Sequence, residues 1–228
     1  MSVNKNTIKL IYHEAGHLLM NVLVRGLKLK VEIPITFLKP DFIEIEPNSD
    51  KGVVSQAGFP VENWSKEKID KISNWMLNRE NFYSANKPFA LSNALILLAG
   101  HTIESKFNRP ERLKYNTFGN ECGEISDKKD FDRLINFLIE GDNKSRLDEN
   151  YLNEVEKITH SMRMDICGLL EIDAVAESLN MIVDKIKESN EDEKGVIRLD
   201  GGEFNELLNR IEKKLQSVSI KHLIDKYT

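Results

Sequence analysis

His13-Glu14-Ala15-Gly16-His17 places two histidines four residues apart, with a glutamate directly after the first. On an α-helix this spacing puts both imidazoles on one face, because residues four apart lie one above the other. Two such imidazoles can hold one divalent metal ion, and the adjacent carboxylate can reach a water on that ion without being a ligand. This HExxH arrangement is typical of zinc hydrolases, so we predict His13 and His17 as Zn²⁺ ligands and Glu14 as the catalytic base.

The residues around the motif predict an amphipathic helix. Apolar residues recur at three- and four-residue intervals, and they are Ile8, Ile11, Tyr12, Ala15, Leu18, Leu19, Val22 and Leu23. Asn6 and Thr7 can cap the start of this helix, and Gly26 can end it. The metal-binding face would lie beside the buried stripe, on the floor of a cleft. The alternative is an ordinary helix with two histidines, and the metal interpretation still requires a third protein ligand.

Composition and charge narrow the range of functions. The 228 residues carry a net charge of −5 and fit one large domain or two small ones. No basic stripe with interleaved aromatic residues is present, so we expect no nucleic-acid partner. Cys122 and Cys167 are too few for a disulfide framework and are expected to be free thiols. With no signal peptide and no apolar segment long enough to span a bilayer, we expect a cytoplasmic protein with no membrane association.

Residues 28–36 alternate between apolar and polar side chains, which predicts a strand, and short apolar runs next to turn residues predict strands over 42–45 and 52–57. Residues 196–199 are expected to form a short extended piece. We expect a small antiparallel sheet beside the metal helix. A strand at the edge of this sheet either holds an extended peptide through main-chain hydrogen bonds or only closes the core.

Most of the remaining chain has helical periodicity. The predicted helices cover residues 65–78, 89–106, 127–138, 151–170, 172–187 and 203–218. The fold class is therefore mainly α (α+β), with one small β-sheet next to the HExxH helix. We divide it into a zincin-like catalytic part, 1–140, which carries the HExxH helix, the small sheet and the third-ligand helix, and a C-terminal helical part, 141–228, packed on it. In the apolar helix 89–106, His101 is expected to be a core histidine rather than a ligand, and Glu104 either orients a neighbour or is exposed.

The third ligand is sought in Ser126-Asp127-Lys128-Lys129-Asp130-Phe131, where a loop gives way to a helix. Aspartates in the first turn of a helix are also common because they complement the helix dipole. Both Asp127 and Asp130 therefore remain open as ligands on the residues alone.

The chain resembles the peptidase domain of the FtsH-type zinc metalloproteases. The matching segments are His13-Glu14-Ala15-Gly16-His17, Val31-Glu32-Ile33-Pro34, Gly52-Val53-Val54, Leu97-Leu98-Ala99-Gly100-His101-Thr102-Ile103-Glu104 and Asp130-Phe131. The first is that family's own form of the motif, and the fourth is similar to its Leu-Gly-Gly-Arg-Ala-Ala-Glu-Glu helix. Asp130-Phe131 looks like the Asp-Leu pair whose aspartate is the family's third zinc ligand, so the resemblance implies Asp130 as the third ligand, with Asp127 as the alternative.

The chain also departs from the family. The family's Gly-Ala-Ser-Asn-Asp run is not intact before Asp130, and His101 stands where the family has a buried arginine. Residues 59–90 look longer than the family's connection. The family's membrane anchors and ATPase domain are not found in this sequence, so the resemblance implies peptide hydrolysis without ATP-driven unfolding.

These observations predict a zinc metallopeptidase that cleaves peptides or unfolded segments without ATP. Glu14 would take a proton from water at the zinc ion and pass it to the leaving amine. A separate ATPase partner and a homo-oligomer are compatible with this prediction. The alternatives are a zinc-stabilised peptide-binding or adaptor module that no longer cleaves, and a zinc hydrolase acting on a non-peptide amide.

Overall fold

A computed structural model describes residues 5–27, 39–46, 51–56, 87–110, 122–139 and 149–228. Helices in these ranges are α1 (Lys5–Gly26), α2 (Lys87–Asn108), α3 (Cys122–Ile139), α4 (Glu149–Leu169), α5 (Asp173–Glu188), α6 (Gly201–Leu215) and α7 (Lys221–Tyr227). The strands are β1 (Pro40–Glu46), β2 (Lys51–Gln56) and β3 (Ile197–Asp200). The predicted fold class, mainly α with one small sheet, is confirmed. Nowhere in the described ranges is a helix both long and apolar enough to cross a membrane.

Several element boundaries differ from the prediction, most of all at the start of α3, and one helix was not predicted. Helix α3 begins at Cys122, so residues 122–126, predicted as loop, are helical. Helix α2 begins at Lys87, two residues before its predicted start. The short helix α7 was missed because Leu223 and Ile224 are its only buried residues, which is too few for a periodic pattern. The predicted strand 28–36 and helix 65–78 lie outside the described residues.

Helices α1 and α2 form the centre of the core. Both are apolar over most of their circumference, and an element with that pattern is normally buried. Their buried side chains belong to one hydrophobic cluster that runs from Leu10 to Ile224, so the N-terminal and C-terminal helices share a single core.

Two glycines allow α1 and α2 to approach closely at the metal-binding motif. A Cβ atom at Gly16 would lie 2.7 Å from the Ala99 carbonyl oxygen and 2.9 Å from the Gly100 Cα atom. Contacts of this length with backbone atoms cannot be relieved by rotating a side chain. The pair Gly16 and Gly100 therefore fixes the separation of the two helices where the motif lies.

We expect Gly16→Ala to destabilise the protein by about 1–3 kcal/mol, the usual cost of overpacking a core. Helix propensity alone would favour alanine by about 1 kcal/mol, so the sign of the change in the free energy of unfolding separates the two effects. Gly168→Ala in α4 is the matched control, because a Cβ there would have no neighbour within 4 Å. Urea unfolding of both variants should show Gly16→Ala less stable and Gly168→Ala unchanged or more stable. Equal stabilities would contradict the close approach.

The small sheet places β2 beside α1. Strand order is β2-β1-β3, and β1 pairs antiparallel with both neighbours. Ile43 of β1 lies opposite Val54 of β2 and Leu199 of β3, and Ile43 is buried against the helices. In this register Gly52 and Val54 of β2 face Glu14 of α1, which confirms the predicted sheet next to the HExxH helix.

Candidate metal centre

Three side-chain atoms converge between α1 and α3. The Nε2 atoms of His13 and His17 are 3.1 Å apart, and each lies 3.1 Å from Oδ2 of Asp127. Only 6% of His13 and 9% of His17 is exposed, and the Asp127 side chain is mostly buried. Helix α1 supplies both histidines from one face, and α3 supplies the aspartate.

The aspartate that reaches the histidines is Asp127, so our preference for Asp130 as the third ligand is corrected to the alternative. The phase of α3 explains this difference. With about 100° of rotation per residue, Asp127 lies roughly 40° from Phe131 and 80° from Ile135, whereas Asp130 lies roughly 100° and 140° from them. Phe131 and Ile135 are buried, so Asp127 is on the inward face, while Asp130 is exposed.

An oxygen lies on the far side of each ring and favours a proton on Nδ1, which leaves Nε2 facing Asp127. His17 donates its Nδ1–H to the backbone carbonyl of Ile96 at 2.8 Å, which leaves Nε2 without a proton in the neutral ring. Nδ1 of His13 faces Oε2 of Glu104 at 3.5 Å. A neutral ring with its proton on Nδ1 can bind a metal through Nε2, so both Nε2 atoms can serve as ligands.

The charges at this site favour a positive charge among the three converging atoms. Burial favours neutral His13, but the hydrogen bond with Asp127 and the nearby Glu104 carboxylate outweigh it and raise the pKa of His13 to about 10. Burial by itself would raise the pKa of the Asp127 carboxyl. Its hydrogen bonds with both histidines outweigh burial and hold that pKa well below its usual range. A proton on His13 thus neutralises the cluster in the metal-free protein.

A zinc ion fits the same donor set. Zn²⁺ binds imidazole nitrogen and carboxylate oxygen at about 2.0–2.2 Å, so neighbouring ligand atoms in a tetrahedral site lie about 3.3 Å apart. The three separations of 3.1 Å in this cluster are close to that value. His13, His17 and Asp127 would hold the ion, which is a set of three protein ligands that leaves a fourth position for solvent.

Glu14 lies beside the cluster but is held by β2. One of its carboxylate oxygens lies within 4.8 Å of a ring nitrogen of each histidine. The backbone of Val54 hydrogen-bonds its carboxylate, and Gly52 packs so closely that a Cβ there would overlap the Glu14 side chain. Burial raises the pKa of Glu14, while His13 and His17 oppose this effect. A carboxyl with a raised pKa is suited to exchanging protons near neutral pH.

Gly52, Gly100 and the Ile96 carbonyl are parts of this site that sequence analysis missed. A Cβ at Gly100 would lie 2.6 Å from Cε1 of His17, so only glycine leaves room for that ring. A small residue inside the apolar segment 89–106 was the available signal for Gly100. The Ile96 carbonyl gives no signal at all, since every residue carries one.

The sequence analysis made one prediction for His101 and two alternative predictions for Glu104, both on α2. His101 is completely buried, as expected of a core histidine. Glu104 is buried and close to His13, so of the two predicted outcomes for Glu104 the exposed one is wrong. The free thiol predicted at Cys167 is present, whereas the side chain of Cys122 lies outside the described residues.

No protein-family model, curated protein or solved structure matches this chain. The interpretation of the site therefore depends on its own geometry. That geometry brings together His13, Glu14 and His17 as the motif predicts, and it adds Asp127 from α3.

Proposed function

We propose that this protein is a zinc metalloendopeptidase that resembles the peptidase domain of the FtsH-type zinc metalloproteases and works without ATP. The observation that carries this proposal is the convergence of His13 Nε2, His17 Nε2 and Asp127 Oδ2, each 3.1 Å from the others, beside the buried carboxylate of Glu14. A binding site for zinc alone would not need a buried acid at that position, because burying a carboxylate is costly.

Zinc bound by two neutral imidazoles and one carboxylate keeps a net positive charge, so it would polarise a peptide carbonyl and lower the pKa of a water molecule. Glu14 would accept a proton from the attacking water and deliver it to the leaving amine. Its carboxylate is suited to both steps, since burial raises its pKa towards neutrality. The hydrogen bond with the Val54 backbone and the absence of a Cβ at Gly52 keep that carboxylate beside the histidines.

The sheet supports an extended peptide as the substrate. Among the described residues β2 pairs only with β1, and β2 is the strand that contacts Glu14. A substrate that adds to this edge through main-chain hydrogen bonds would lie along the catalytic carboxylate. Peptides and unfolded segments can adopt this conformation, whereas folded proteins would need a separate ATPase partner to unfold them. A cytoplasmic location and assembly into a homo-oligomer stay predictions.

Metal analysis combined with a cleavage assay tests the proposal. We expect the purified protein to bind about one zinc ion per chain and to cleave unfolded casein or a peptide library without ATP. A chelator should stop cleavage, and added zinc should restore it. Protein that holds zinc but cleaves nothing would favour the non-catalytic peptide-binding module, and protein that binds no zinc would contradict the metal site.

A further inference from the structure

Glu104 is a buried carboxylate that the proposed chemistry does not use. Its exposed fraction is 1%, and neither oxygen has a hydrogen-bond partner among the described residues. Two positively charged or N–H-bearing groups lie slightly farther away. Oε2 is 3.5 Å from His13 Nδ1, and Oε1 is 3.8 Å from Lys9 Nζ.

An ionised carboxylate in this position is stable only if its neighbours compensate for the lost hydration. Lys9 lies one helical turn before His13 on α1, so both groups reach Glu104 from the same helix face. The Lys9 side chain is 12% exposed, which places the ammonium group near the surface while Glu104 stays inside. The order from the surface inwards is therefore Lys9, Glu104 and His13, followed by the converging Nε2 and Oδ2 atoms.

The two ligand histidines are oriented in different ways. His17 donates Nδ1–H to a backbone carbonyl, an acceptor that no side-chain substitution can remove. The acceptor facing Nδ1 of His13 is a side chain, and a carboxylate that receives an imidazole N–H makes the other ring nitrogen a stronger ligand. Of the two histidines, His13 is therefore the one whose acceptor can be removed by substituting a side chain on α2.

We propose that Glu104, supported by Lys9, is the positioning residue that holds His13 with its proton on Nδ1 and its Nε2 directed at the metal. This inference rests on the proposed function, because it assigns a role to a residue that touches a zinc ligand. Glu104 does not touch the ion or the substrate. Its role is to set the tautomer and the ring orientation of His13, and so the affinity of the site.

Zinc affinity, measured by competition with a colorimetric chelator, tests this role without any activity assay. Losing an outer partner of a metal-binding histidine weakens metal affinity by about 10–100-fold, so we expect a loss of that size in Glu104→Ala. Glu104→Gln keeps the size and one acceptor oxygen and should lose less. In ¹H–¹⁵N spectra of the zinc-loaded protein, a slowly exchanging proton is expected on His13 Nδ1 in wild type and should exchange rapidly in Glu104→Ala.

Ser105→Ala is the matched control, because Ser105 is the next residue on α2, is equally buried and has no hydrogen-bond partner for its hydroxyl among the described residues. It should keep wild-type zinc affinity. If Glu104→Ala does not fold, the same two measurements on Glu104→Gln and Lys9→Gln decide the question. Wild-type affinity and an unchanged His13 Nδ1 signal in all Glu104 variants would overturn the positioning role alone. A wild-type protein that binds no zinc would overturn the proposed function and this inference with it.

Discussion

Glu14→Gln is expected to lower the rate of peptide cleavage by about 100- to 10,000-fold, which is the usual contribution of a general base. Glutamine has the same shape and can accept the hydrogen bond with the Val54 backbone, but it cannot take a proton from water. The ligands His13, His17 and Asp127 are untouched, so zinc content should remain at the wild-type level. The loss should appear in kcat, because the proton is transferred in the transition state and not on substrate binding.

Stability and a second glutamate provide the controls for this variant. Burial raises the pKa of Glu14, so replacing its carboxyl with a neutral amide should not lower the melting temperature. Glu212→Gln makes the same chemical change on α6, where the carboxylate forms a half-exposed ion pair with Arg25, and it should cleave at the wild-type rate. If Glu14→Gln kept more than about a tenth of the wild-type rate, a general base would not be acting at this position.

The α1 part of the site could be predicted from sequence because its geometry is local. The spacing of His13 and His17 fixes their common face once the segment is helical, and the apolar periodicity of residues 8–23 makes it helical. Short apolar runs next to turn residues likewise predicted β1 and β2, and an extended segment was expected where β3 lies. Each of these elements needs information from only a few neighbouring residues.

The remaining part of the site depends on contacts between distant segments. Three groups contact the motif from other elements: Gly52 from β2, and Glu104 and the Ile96 carbonyl from α2. The identity of each residue does not show which part of the motif it will contact. Propensity and periodicity describe one element at a time. A sequence therefore gives the ligands on the helix more easily than the residues that orient them.

The choice between Asp127 and Asp130 shows how a small error in helix phase changes which aspartate is proposed as a ligand. The resemblance to a known family favoured Asp130 because an apolar residue follows it. The structure begins α3 at Cys122, so Asp127 lies well inside the helix, one turn before Phe131 and on the same inward face. Counting back by four from the first buried aromatic residue would have selected Asp127, since that interval keeps to one face.

Asp127→Ala is expected to weaken zinc binding by more than about 100-fold, because even an outer partner of a ligand is worth 10–100-fold. Asp127 Oδ2 is the only carboxylate oxygen recorded at 3.1 Å from both ring nitrogens within the described part of the chain. Without it, two imidazoles would have to hold the ion with solvent in the remaining positions. Chelator competition on the purified variant measures the loss, and cleavage should fall with zinc occupancy.

Asp130→Ala is the matched control, because Asp130 lies on the same helix, three residues further on, with an exposed side chain. It should bind zinc as wild type does, since an exposed carboxylate on the outer flank of α3 does not face the two histidines. Asp127→Asn separates the loss of a ligand from the loss of volume, because an amide oxygen of the same size is a much weaker zinc ligand than a carboxylate. Loss of zinc in Asp130→Ala, with zinc retained in Asp127→Ala, would contradict this choice. Helix α3 would then have to be rotated about its axis so that Asp130 faced the histidines, and Asp130 would again be the proposed third ligand.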